Sequence, residues 1–136
     1  MPEDKYDFRM VETNKIKSDS PRESLAHQIN VQNTYMDAIK IGKLKFGSGY
    51  NECLFTKSKE ELLELLNKSD NQLVKLLSKD ENVNMLVAVP WSKSTIKAID
   101  MLWSMNSHEI LHTGWNLALM DHLNIERFQE LKQVWG

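Results

Sequence analysis

Ser107-His108-Glu109-Ile110-Leu111-His112-Thr113-Gly114-Trp115 places two of the chain's four histidines four residues apart. Four residues advance an α-helix by about 1.1 turns, so both imidazoles leave one face about 6 Å apart and can close on a single cation. Met101, Met105, His108, His112, Trp115, Leu119 and His122 recur in steps of four and three. That period predicts an amphipathic helix over about residues 95–121, with the histidines inside its apolar stripe rather than on a solvated side. A buried imidazole needs a partner. Two kinds of partner are open at this point: a metal ion shared by the pair, or the backbone and carboxylate groups of an ordinary helical core.

The remaining elements follow from local signals. Residues 1–19 carry scattered polar and aromatic groups without a sustained period and are expected to be an extended lead-in. Ser20-Pro21-Arg22-Glu23 then combines an N-cap serine, a proline at the first helical position and a glutamate at the third, which predicts a helix over about 21–41 that carries His27. Leu25, Ile29, Met36 and Ile39 mark one apolar face of it, with Val31, Tyr35, Ala38 and Ile41 roughly opposite, so this helix is expected to be buried on two sides. Gly42, Gly47 and Gly49 open a loop in which Phe46, Tyr50 and Phe55 are expected to pack. A second capping box at Ser58-Lys59-Glu60-Glu61 starts a leucine-rich helix of about 58–79, with a kink expected near Ser69-Asp70-Asn71. Residues 83–90 look extended, with no second strand in view, and are expected to form a connection docked by Trp91. Ser92 or Ser94 is the expected cap of the histidine helix. Asn124 is the expected start of a short terminal helix over about 124–134, with Ile125, Phe128, Leu131 and Val134 on its inner side.

The expected architecture is therefore a single all-α domain of 136 residues, an up-down helical bundle with long connections. A hydrophobic fraction of 41% and a charged fraction of 26% fit an ordinary globular protein. The net charge of -2 and the scattering of lysines among glutamates supply no basic stripe, so no direct nucleic-acid partner is expected. No apolar run approaches the ~20 residues of a membrane span. The lone Cys53 and the absence of a signal-like start point to a cytoplasmic address. In such a bundle His27 can join His108 and His112 as three neutral nitrogen donors that leave a position open, the pattern of a catalytic rather than a closed metal site. His122 lies ten residues past His112, roughly 15 Å along the helix, and is not expected to share that ion.

Ser20-Pro21-Arg22-Glu23-Ser24-Leu25-Ala26-His27, Val89-Pro90-Trp91 and His108-Glu109-Ile110-Leu111-His112-Thr113-Gly114 together resemble the DinB-like superfamily of metal-binding four-helix bundles, over most of the chain. The resemblance implies His27, His108 and His112 as ligands of nickel, zinc or iron. It also implies a metal-dependent enzyme acting on a small molecule, a transferase with a low-molecular-weight thiol cosubstrate or a hydrolase. Members commonly have His-His-Arg-Gly-Gln where this chain has Leu111-His112-Thr113-Gly114-Trp115, so the groups around the ligands are partly replaced. Members also usually begin with a further long helix. Here its place is expected to be taken by the terminal helix or by a second copy, which makes a homodimer.

His108-Glu109-x-x-His112 is also the literal zinc-peptidase signature, with Glu109 as its general base. That alternative lacks the downstream histidine, since position 118 is Ala118, and lacks a sheet to line a cleft. Glu109 projects about 100° around the helix from His108, which also suits a group that orients a ligand or faces solvent. A metal-binding stress-response protein without turnover, or an oligomerisation module, are the non-enzymatic alternatives.

Overall fold

The computed structural model describes residues 1–135. Three long helices dominate: α1 (Pro21–Ile41), α2 (Lys59–Leu77) and α4 (Ala98–His122), joined by the short α3 (Asp80–Val83) and followed by α5 (Gln129–Trp135). α1 is the central helix, packed on both α2 and α4. Its start is fixed by a complete capping box, in which Ser20 accepts from the Glu23 amide and Glu23 accepts from the Ser20 amide, with Pro21 at the first position. Its end is fixed by Gly42, whose φ of 74° needs a residue without a Cβ penalty. α2 opens on the equivalent box at Ser58 and Glu61. It runs through Ser69-Asp70-Asn71 without a break in the helix.

Two apolar clusters hold the helices together. One gathers Tyr35, Ile39, Leu44, Val87, Met101 and Met105 between α1 and the first half of α4. The other gathers Tyr6, Ala26, Ile29, Leu54 and Leu62, and draws the N-terminal arm onto the α1–α2 junction. That arm is not simply extended. It contains a 3-10 turn at Glu3–Lys5 and a small turn closed by pairing of Glu12 with Lys17. It is tied to α1 by ion pairs of Arg22 with Asp7 and of Arg9 with Glu23, while the Arg22 guanidinium also covers the Tyr6 ring.

Three further expectations from the sequence differ from the structure. Residues 86–87 do find a partner: β1 (Leu86–Val87) pairs antiparallel with β2 (Ile96–Lys97), Val87 opposite Ile96, and Ala88 bridges to Lys43. Because Ile96 and Lys97 are spent in that ribbon, α4 begins at Ala98 and neither Ser92 nor Ser94 caps it; the Ser92 hydroxyl accepts from the Ser94 amide instead. The terminal helix starts at Gln129 rather than near 124. Asn124 adopts a left-handed φ of 54° that ends the turn after α4, and Phe128 and Val134 then lie exposed rather than facing inward.

Candidate metal centre

The packing of α1 against α4 brings His27 to the His108/His112 pair. The ring centroids form a triangle with sides of 5.0, 5.0 and 4.5 Å. His27 Nε2 lies 3.2 Å from His108 Nε2, and His112 Nε2 lies 3.3 Å from the same atom. One ligand atom from each of the three residues falls within a span of 4.8 Å. Two nitrogens held by a cation at about 2.0–2.1 Å with a tetrahedral angle between them lie about 3.3–3.4 Å apart, so the spacing fits such an ion.

Hydrogen bonding alone leaves this triangle unsatisfied. An imidazole nitrogen offers either one proton or one in-plane lone pair, so His108 Nε2 can serve one neighbour well and not both. Its other nitrogen, Nδ1, is buried without a partner. A divalent ion would accept all three Nε2 lone pairs at once, and the residues present therefore fit a metal. Burial pushes the His108 and His112 pKa values below the ordinary imidazole range, and charge on the neighbouring histidines pushes the same way. Both rings therefore favour the neutral form that ligation requires.

Behind the ligands stands a layer of polar groups. The fully buried Ser24 hydroxyl lies 3.2 Å from His112 Nδ1 and accepts from the Asn116 side-chain amide at 3.2 Å. Were Nε2 to ligate an ion, Nδ1 would carry the proton and donate to Ser24, which would fix the ring's tautomer and tilt. Glu109 is turned elsewhere. Its carboxylate accepts from Gln32 Nε2 at 3.0 Å, and the same amide nitrogen donates to Asp70 at 2.9 Å, so one side chain of α1 bridges α4 and α2. Burial raises the Glu109 pKa, and Asp70 adds to that rise against the opposing Gln32 bond.

Of the residues singled out from the sequence, His27, His108 and His112 come together. His122 is exposed beside Phe8 and stands outside the cluster. Ser24, Gln32 and Asn116 were not anticipated. The available signal was spacing: Ser24 is three residues before His27, and Asn116 is four after His112, so each shares a helix face with a ligand.

A cavity of about 430 Å³ begins at the His27 and His108 rings and continues to Phe46, Tyr50 and Trp91. No helix among the described residues is long and apolar enough to cross a membrane. The chain matches no protein-family model and no curated protein sequence.

Proposed function

We propose that His27, His108 and His112 hold one divalent ion, nickel, zinc or iron, and that the chain is a metal-dependent enzyme of the DinB-like type. The observation that carries the reading is the meeting of one ligand atom from each of three histidines within 4.8 Å, two of them lining a cavity large enough for a small molecule. Three neutral protein ligands leave at least one position for an exogenous group. When bound, such an ion supplies charge that lowers the pKa of a coordinated thiol or water towards neutrality, the activation that transferase or hydrolase chemistry needs.

The chain's own groups have defined tasks in this scheme. Ser24 and Asn116 hold His112 in the ligating tautomer. Burial keeps His108 and His112 from competing for protons. Gln32 holds the Glu109 carboxylate against Asp70, which argues against a peptidase in which Glu109 would face the ligating histidines as general base.

The test is turnover by metal-loaded protein over a panel of electrophiles with low-molecular-weight thiols, and of simple esters without them. Activity that disappears on chelation and in His108→Ala, and returns on reloading the wild type, is the expected result. A fully loaded protein that turns over neither class would contradict the enzymatic reading and leave a metal-binding role.

A further inference from the structure

The cavity that opens from the histidines has a composition of its own. The buried Tyr35 and the exposed Phe46, Tyr50 and Trp91 all line it. No lysine, arginine, aspartate or glutamate lines it. Phe46, Tyr50 and Trp91 are 64%, 57% and 48% exposed, although large aromatics gain most from burial. Phe46 and Trp91 stand 6.1 Å apart between ring centroids, tilted by 31°.

The polar groups of the wall are largely spent on shaping it. Asn30 Oδ1 accepts from the Asn51 amide at 2.8 Å, and Thr34 Oγ1 accepts from the Gly49 amide at 3.1 Å while donating to the Asn30 carbonyl. These bonds pin the loop bearing Phe46 and Tyr50 onto α1. The approach is so close that a Cβ on Gly49 would come within 2.5 Å of the Thr34 nitrogen, so position 49 has room for glycine alone. Tyr50, between these two anchored positions, is therefore held by the fold itself. Among the described residues, the Ser104 hydroxyl makes no hydrogen bond; it lines the cavity one helical turn before His108.

We infer that this cavity selects an uncharged aryl group, one or two fused rings in size, whose donor atom reaches the three-histidine site while the rings lie against Phe46, Tyr50 and Trp91. The inference rests on the proposed metal reading for the position of the donor atom, but the aryl preference belongs to the wall. Away from the histidines the wall offers a charged body no counter-charge, whereas flat rings replace water against flat rings. The size agrees with a cavity near the small end of the range for ligand pockets, about 300–1,000 Å³.

The experiment measures dissociation constants by calorimetry, with ring-current shifts in proton NMR as the second readout, for naphthalenethiol, naphthol and mercaptoethanesulfonate. Each is titrated into metal-free and zinc-loaded protein, wild type and the Phe46→Ala/Trp91→Ala double variant. Both positions are exposed, so the variant is expected to keep the wild-type circular dichroism. Naphthalenethiol is expected to bind the zinc form at least about tenfold more tightly than mercaptoethanesulfonate, with that advantage lost in the double variant. Naphthol is expected to bind the metal-free wild type and to shift the resonances of Trp91 and Tyr50. Should the protein take up no zinc, the metal reading fails while naphthol binding still decides the wall. Equal affinity for the aryl and the charged thiol, or an aryl preference that survives the double substitution, overturns the inference. So does a wild-type dimer that the double variant disperses in sedimentation, since the aromatics would then belong to a contact between copies.

Discussion

Ser24→Ala tests whether the histidine triangle is held from behind. The substitution leaves all three ligands in place and removes one oxygen from a fully buried position. His112 Nδ1 loses its partner at 3.2 Å, and Asn116 loses the acceptor of its amide at 3.2 Å. The Asn116 carbonyl oxygen is already buried without a partner, so the whole amide becomes unpaired. Stranding buried donors costs about 1–3 kcal/mol of folding stability in the metal-free protein. Loss of a partner behind a ligand typically weakens metal binding about 10–100-fold, or about 1.4–2.7 kcal/mol. A competition titration of zinc against a chromophoric chelator reads the second quantity directly, and urea unfolding of the metal-free form reads the first. Ser107→Ala serves as control, because the exposed Ser107 hydroxyl bonds only the Trp103 carbonyl. Zinc affinity of Ser24→Ala within about twofold of wild type would refute the idea that Ser24 fixes the His112 tautomer.

Gly49→Ala puts a methyl against backbone atoms of Asn33 and Thr34 that cannot yield, so the loop must lift and surrender its bonds to Asn30 and Thr34; a loss of about 2 kcal/mol, seen as a Tm lowered by about 5–10 °C, is expected. An unchanged Tm would mean that the loop is not pinned. Glu109→Gln keeps an acceptor for Gln32 while removing a half-buried charge near Asp70, so the variant is expected to be as stable as wild type or more so at neutral pH, and a clear drop in Tm would contradict that placement. Burial raises the Glu23 pKa, but the Arg9 guanidinium and the Ser20 amide outweigh it and hold the carboxyl below its ordinary value. The folded state then binds fewer protons than the unfolded one, so this contribution is complete above about pH 4.5 and disappears as pH falls through the depressed folded pKa. Urea unfolding as a function of pH is expected to show that acid loss in wild type and a shallower one in Glu23→Gln; identical slopes would refute it.

What was legible in the sequence is what local chemistry decides. The limits of α1 follow from Ser20, Pro21, Glu23 and Gly42, all within a turn of the helix ends, and they agree with the structure. The start of α2 was equally local. The start of α4 was not, because it depends on Ile96 and Lys97 pairing with Val87 and Leu86, a contact that carries no periodic signal. The terminal helix was placed early because Asn124 is a good cap residue as well as one of the few that tolerate a positive φ, and the second property prevailed. At the site, His108 and His112 were marked by their spacing and His27 by its place on a capped helix. Ser24, Asn116 and Gln32 are polar residues on helices whose relative rotation decides what they meet, and that rotation is a tertiary quantity. Phe46, Tyr50 and Trp91 carried no sign of lining a cavity until the loop lay against α1.

If the three histidines share one ion, each of them is needed to retain it. Elemental analysis of untagged protein, reconstituted and freed of excess ion, tests it most directly when wild type is set beside His27→Ala, His108→Ala and His112→Ala. About one equivalent of nickel, zinc or iron in the wild type, lost in each variant, is the predicted result. A wild type that retains no metal, or variants that retain as much as it does, would contradict the account and return the three imidazoles to the protein core.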